Sequence, residues 1–175
     1  MSYHLPIIAF TGKSGSGKTT LIVKLISTLS NYQLKVATIK HSHHKIKLDH
    51  KGKDSHRFFE AGANPSMVTG SNMYGYVQPC VNTPKLDELV RTIDKKADII
   101  IIEGFKNEHV DGMFRFIVTD QTAAKRELVD EADGLIVATI TDMACDKPVY
   151  QRDDIQGISS WILDRFFPHK TKNCN

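Results

Sequence analysis

Cysteine is scarce: Cys80, Cys145 and Cys174 are the only three in 175 residues, and they form no Cys-x-x-Cys pair. Such spacing suggests neither a disulfide framework nor a thiolate zinc site, so a reduced, cytoplasmic setting is the expectation. Long apolar runs are also missing. The most notable is Ile99 to Ile102, far short of the roughly 18 residues that a membrane-crossing helix needs. The N-terminus leads at once into an apolar strand-like run, so no secretory leader is expected. An excess of charge of one sign is nearly absent overall, with 23 Lys+Arg against 20 Asp+Glu and a net charge of +3.

What is present is an ordered globular composition, 41% hydrophobic and 25% charged, which argues against disorder. At a typical domain length of about 150 residues, the chain reads as one nucleotide-binding domain over 1–170 with a short polar tail at 171–175. The small net charge hides a concentration. From Lys35 to Arg57 there are seven Lys/Arg and two acids, and five of the eight histidines fall in the same stretch. The remainder is therefore mildly acidic, and one basic segment stands on a balanced body.

Leu5 to Phe10 is a short continuous apolar run ending in a glycine-rich turn, the form of a strand buried on both faces. Leu21, Val23, Leu25, Ile26 and Leu29 follow with largely helical spacing, from about Gly17 to Leu29, then comes a strand over Leu34–Ile39. A helix over Lys53–Ala61 ends at Gly62, which can serve as a C-cap. Pro65–Thr69 and Tyr74–Gln78 flank a polar turn and predict an antiparallel hairpin around residues 65–79. Leu86, Leu89, Val90 and Ile93 mark a helix, and Ile99–Ile102 is the strongest buried-strand signal. Phe114–Val118 reads as a strand, Ala123–Val129 as a polar helix, Leu135–Ile140 as the last clear strand and Ile155–Phe167 as the closing helix. This alternation predicts an α/β fold with a mostly parallel sheet, in three layers, of the P-loop NTPase type.

Gly12-Lys13-Ser14-Gly15-Ser16-Gly17-Lys18-Thr19 matches G-x-x-x-x-G-K-[ST] between the first strand and the first helix. Glycines let successive N–H groups curve around phosphate oxygens, and the helix N-terminus adds its own donors. Lys18 is placed to reach the β and γ phosphates, and the Thr19 hydroxyl to hold Mg²⁺. Lys13 either contacts phosphate across a dimer or lies in solvent. A second acidic group is needed. Glu103 and Asp98 flank the strong strand, but only its C-terminal end faces the ligand side of a parallel sheet. Glu103 is therefore the expected metal or water-positioning residue.

The segment Lys40-His41-Ser42-His43-His44, continued by Asp49, Lys53, Asp54 and Arg57, leaves three readings open. It could grip a highly phosphorylated ligand. His41, His43, His44 and Asp49 could ligate a metal. It could be a solvated loop. Few aromatics are interspersed, so stacking on nucleic-acid bases has little support. In Glu103-Gly104-Phe105-Lys106, Gly104 permits a close turn, Lys106 could face phosphate and Phe105 is expected to pack. Arg115 and Lys125 could also point inward, but exposure is the expectation for both. Base choice is open between GTP and ATP: no Asn-Lys-x-Asp occurs, and Asp142, after the last strand, is the candidate guanine contact. Two rivals stand beside the nucleotide-binding reading, a small-molecule kinase and a non-catalytic nucleic-acid-binding module using residues 35–57.

Taken together, the pieces Gly12–Thr20, Lys40-His41 with His43-His44, Gly52–Ser55 with Arg57, Ala61-Gly62-Ala63 and Glu103–Lys106 resemble the molybdopterin-guanine dinucleotide biosynthesis protein B family. The resemblance covers most of the first 110 residues. It implies a P-loop GTPase-like fold, weak Mg²⁺-dependent GTP hydrolysis, a homodimer, and an adapter role beside the guanylyltransferase that joins GMP to molybdopterin. Carried over, Gly12, Lys13, Ser14, Gly15, Ser16, Gly17, Lys18, Thr19 and Thr20 surround the phosphates, with Lys18 and Glu103 in catalysis. Thr19 and Glu103 hold Mg²⁺, and Asp142 meets guanine. Lys40, His41, His43, His44, Lys53, Asp54, Arg57 and Lys106 become contacts for molybdopterin, another anionic small molecule or the partner enzyme. Asp49-His50-Lys51-Gly52 departs from the family in lacking a proline before the glycine.

Overall fold

Ile99–Glu103 becomes a strand whose four isoleucines are all buried, with parallel neighbours on both edges. The computed structural model describes residues 3–42, 44, 46, 53–119, 136–140 and 149–171. In chain order the elements are β1 (Ile7–Thr11), α1 (Lys18–Asn31), β2 (Val36–Lys40), α2 (Asp54–Glu60), β3 (Ser66–Thr69), β4 (Tyr74–Val77), α3 (Leu86–Ile93), β5 (Ile99–Glu103), β6 (Met113–Val118), β7 (Ile136–Ile140), β8 (Val149–Tyr150), α4 (Ile155–Phe166) and α5 (Pro168–Thr171). They divide into two compact units, Met1–His41 with Lys85–Asn175, and Ser42–Pro84.

The first unit is built on a sheet of order β2-β5-β1-β6-β7-β8 in which every pairing is parallel. Parallel strands covered on both faces need apolar residues at every position, because successive side chains point to opposite sides. β1 and β5 meet that demand. Ile8, Phe10, Ile99 and Ile101 face a layer containing Leu21, Leu25 and Leu29 of α1 and Ile158 and Ile162 of α4. Ile7, Ala9, Ile100 and Ile102 face the opposite layer, with Leu86 and Val90 of α3. Two helical layers around a central sheet give the expected three-layer α/β architecture. β1 lies at the switch point of the strand order, with β5 on one side and β6 on the other. Ligands of doubly wound sheets bind outside the strand C-termini at such a point.

Helix ends follow local chemistry. Asp154 caps α4 by accepting the Gly157 N–H at 2.8 Å. Lys85 has no capping side chain for α3, and the Glu108 carboxylate accepts the Leu86 N–H at 2.7 Å instead. α1 is preceded by Gly17 in the N-cap position, at φ 89°, and has no side-chain cap and no acid in its first turn.

The second unit holds α2 and the antiparallel β3–β4 hairpin, in register from Ser66↔Val77 to Thr69↔Tyr74, as expected from its polar turn. Gly62 follows α2 with φ 101°, the left-handed conformation suited to a C-terminal stop. Two details of the first unit differ from the sequence reading. β8 joins the sheet beyond β7, although Leu135–Ile140 reads as the last strand; two residues carry no periodicity to detect. The closing helix ends at Phe166, and Pro168 starts the separate short turn of α5. The helix expected at Ala123–Val129 lies outside the described residues.

Candidate functional site

The loop from Gly12 to Gly17 joins the C-terminus of β1 to α1, and its glycines are structural necessities. A Cβ on Gly12, at φ 143°, would stand 1.9 Å from the Val118 carbonyl oxygen of β6. Gly15 at φ 78° and Gly17 at φ 89° occupy the left-handed region, which costs other residues energy. The turn therefore curls its backbone over the end of the sheet. The first N–H groups of a helix have no intrahelical acceptor, and those of α1 follow this loop directly, an arrangement that can bind an anion.

Lys18 is buried and folds back along this loop, its Nζ donating to the Gly12 carbonyl at 2.9 Å and to Ser16 Oγ at 3.2 Å. It also reaches the Lys13 carbonyl. Lys13, Ser14 and Gly15 are exposed and Ser16 is buried. Thr19 points along the opposite rim. Its hydroxyl lies 2.9 and 3.0 Å from the two carboxylate oxygens of Glu103, at the C-terminus of β5. β2 brings Lys40 to the same place, with Nζ 3.1 Å from Glu103 Oε1 and 3.3 Å from Thr19 Oγ1. One hydroxyl, one carboxylate and one ammonium thus form a compact triangle, although 84 residues separate Thr19 from Glu103.

Those oxygens fit a magnesium ion. Mg²⁺ prefers hard oxygen ligands and uses one or two protein carboxylates with waters and phosphate. The Lys40 ammonium lies against both groups, so a metal there would take its place. Asp98, at the other end of β5, accepts the Lys35 N–H at 2.7 Å, as a strand-end carboxylate away from the loop.

The backbone leaving Glu103 turns sharply. Gly104 has φ 96° and Phe105 φ 53°, and a Cβ on Gly104 would lie 3.2 Å from the His41 Cβ. His41 donates its N–H to the Glu103 carbonyl at 2.9 Å, and its ring lies 4.9 Å from the buried Phe105 ring. Phe105 packs, as expected. Lys106 is exposed. Arg115 overturns its expectation of exposure: it is buried on β6 and donates to the Lys106 carbonyl at 2.9 Å and the Glu108 carbonyl at 2.6 Å. A charge between Phe114 and Phe116 on a strand covered on both faces has nowhere to be solvated, so it must satisfy itself on backbone oxygens. It thereby pins the segment that follows Glu103.

The structure joins Thr19 of the Gly12–Thr20 loop with Lys40, His41 and Glu103 within the first unit. Among the described residues, Lys106 is linked to them by no contact of its side chain, and only its carbonyl is held, by Arg115. His44, Lys53, Asp54 and Arg57 belong to the second unit. There the His44 N–H donates to Ser42 Oγ at 3.1 Å, and Arg57 pairs with Asp54 at 3.5 Å. His43, Asp49, Lys125 and Asp142 lie outside the described residues. Beside the loop, sequence reasoning missed Lys24 and Asp153, an ion pair at 2.6 Å. Lys24 holds the Asp153 carboxyl below its usual range. A separation of 129 residues leaves no local signal for it. Among the described residues, no helix is long and apolar enough to cross a membrane.

Comparison with known proteins agrees with this geometry. Residues 7–142 match the family model described as "Molybdopterin guanine dinucleotide synthesis protein B". A molybdopterin-guanine dinucleotide biosynthesis adapter protein of Haemophilus influenzae is 38% identical over 93% of this chain and 90% of its own length. One from Escherichia coli is 30% identical over 91% and 93%. A crystal structure of molybdopterin-guanine biosynthesis protein B superposes with a TM-score of 0.71 at 23% identity, covering 91% of this chain and 98% of that one. Bacillus subtilis MobB gives 0.68 at 24% identity, covering 93% and 98%. At those identities the structures speak for the fold, while the sequence matches reach further: the chain belongs to the molybdopterin guanine dinucleotide synthesis protein B family.

Proposed function

We propose that the chain is a GTP-binding accessory protein of molybdenum cofactor biosynthesis, an adapter that assists the guanylyltransferase making molybdopterin guanine dinucleotide. The observation that carries this is the Gly12–Thr19 loop facing the Thr19–Glu103 pair, in a chain whose relatives are named as adapters of that synthesis. The loop N–H groups and Lys18 hold the β and γ phosphates, while Thr19 and Glu103 hold Mg²⁺. When bound, the metal supplies neutralisation of the charge that develops on the phosphate oxygens. Lys18 leaves its carbonyl partners for the phosphate and shares that task.

Hydrolysis by this arrangement is slow. An arginine placed on the transferring phosphoryl group contributes roughly 10³–10⁵ in kcat, and every described arginine is engaged elsewhere. Arg115 and Arg152 hold backbone carbonyls, Arg57 and Arg91 hold aspartates, and Arg165 lies over Phe114. The adapter role therefore outweighs turnover, and the partner enzyme does the main chemistry. Lys40, His41 and Lys106 offer positive or polar surface beside the loop for molybdopterin or the partner. The chain acts as a homodimer, for which the exposed Met67, Val68, Met73 and Tyr74 of the second unit provide apolar surface.

The deciding experiment is equilibrium binding of GTP and ATP with Mg²⁺ to wild type, Lys18→Ala and Asp142→Ala. Wild type should prefer GTP, and Lys18→Ala should lose roughly 10- to 100-fold for both, since a charge-assisted phosphate contact disappears. Equal GTP and ATP affinities would sink the guanine assignment. Turnover at about tens per second, well inside the typical enzyme range, would contradict the adapter reading.

A further inference from the structure

A cavity of about 200 Å³ opens beside the phosphate loop. Ser16 and Gly17, Thr20 and Lys24 of α1, and Arg152 and Asp153 after β8 are among its lining residues. Its volume falls below the roughly 300–1,000 Å³ of pockets that enclose a whole drug-sized ligand. That suits one part of a molecule whose charged remainder is held next door. Leu21, Val118 and Ile140 line it with hydrocarbon, which favours a flat, weakly hydrated group over a further phosphate. A nucleotide anchored at Gly12–Thr19 has one such group, its nucleoside.

The far wall is rigid where it matters. Arg152 donates to the Thr119 carbonyl at 2.9 Å and ties the segment to the end of β6. The Asp154 N–H donates to the Gln151 carbonyl at 3.0 Å, and the Ile155 N–H to the Asp153 carbonyl at 2.8 Å. Asp153 thus sits on a tight turn directly before the Asp154 cap of α4. Its Oδ1 accepts from Lys24 at 2.6 Å. An ionised carboxylate accepts only, through about four lone-pair sites on two oxygens, so the bond to Lys24 leaves both oxygens with capacity.

We infer that this cavity takes the nucleoside of the bound nucleotide and that Asp153, braced by Lys24, selects guanine. Guanine offers two adjacent donors, N1–H and the exocyclic N2 amino group, and a carboxylate can accept both side by side. Adenine offers one amino group beside an acceptor nitrogen, which meets the same carboxylate with repulsion. The inference rests on the nucleotide-binding reading above and adds the residue that reads the base.

The test is equilibrium binding of GTP, ITP, XTP and ATP with Mg²⁺ to the full chain, comparing wild type with Asp153→Asn, Lys24→Met and Asp142→Asn. Asp153 is exposed on a surface turn, so its amide variant should melt as wild type does. Asp153→Asn should weaken GTP by roughly 10- to 100-fold, the scale of hydrogen bonds to a charged group. It should shift preference toward XTP, whose C2 carbonyl can accept from the new amide. Lys24→Met should reduce the GTP-over-ATP ratio with little change for ATP. An unchanged GTP-to-XTP ratio in Asp153→Asn would overturn the inference while leaving GTP binding intact. So would a switch to XTP confined to Asp142→Asn. If wild type binds none of the four, both this inference and the nucleotide-binding reading fall.

Discussion

The two units of the chain solve the burial problem in opposite ways. In the first, β5 is closed on both faces and two separate clusters flank the sheet. In the second, α2 has no buried residue, and Phe58, Met67, Val68, Met73, Tyr74 and Tyr76 are all exposed. Two-stranded hairpins are marginal by themselves in water, because too little apolar surface leaves solvent to offset chain entropy. The first unit thus carries an extensive core on which a site can be held in place. The second presents apolar surface outward, as a recognition element does.

Paired substitutions can break that contrast. Ile101→Ala should destabilise the chain by about 2–5 kcal/mol, the range for deleting most of a large buried aliphatic side chain, measured by denaturant unfolding. Met67→Asp, at a position 64% exposed, should change monomer stability by less than about 0.5 kcal/mol. In sedimentation it should shift the proposed homodimer toward monomer. If Met67→Asp costs as much as Ile101→Ala in a concentration-independent unfolding curve, the second unit has its own core and the contrast is wrong.

Much of this was open to sequence reading because the signals were local. Ile99–Ile102 can only suit a strand covered on both sides, and Gly12–Thr19 writes its geometry in eight successive residues. The hairpin is marked by its own turn. What escaped depends on residues far apart in the chain. Arg115 looks like an exposed charge until β6 is known to lie between β1 and β7. Lys40 reads as part of a histidine-rich loop, yet its ammonium sits at Glu103. Lys24 finds Asp153 only once α1 and the turn before α4 pack against the same sheet end. Pattern identifies elements, whereas charge partners follow from topology.

Lys40 sharpens the comparison at an intermediate scale, because it ends the first unit's β2 just before the second unit begins. Its ammonium neutralises the oxygens that Mg²⁺ would take. With Lys40 57% exposed, that pairing is worth at most about 1 kcal/mol. Lys40→Met should therefore tighten Mg²⁺ by up to about fivefold, read from Mg²⁺ titrations of GTP binding. Weaker Mg²⁺ and weaker GTP together would instead make Lys40 a phosphate ligand, extending the basic segment's role into the loop itself.

The smallest effect concerns how far the first unit's order extends toward the N-terminus. The Tyr3 hydroxyl donates to the Asp87 carboxylate of α3, which also accepts from Arg91 Nε at 2.7 Å. Burial first, and then the Asp87 hydrogen bond, push the Tyr3 phenol up to about 12. Arg91 and then Tyr3 hold the Asp87 carboxyl below its usual range. A folded-state pKa above the unfolded value of about 10 stabilises the fold fully below about pH 10. That contribution is lost as pH rises toward about 12, since the unfolded chain gives up the proton first. An alkaline absorbance titration of tyrosinate should show a late step that Tyr3→Phe removes, with the remaining curve unmoved. A curve identical in wild type and variant would mean that Tyr3 is solvated and that the ordered unit begins only at β1. Loss of the step together with a lower midpoint of alkaline unfolding would place residue 3 in the same cooperative body as α3.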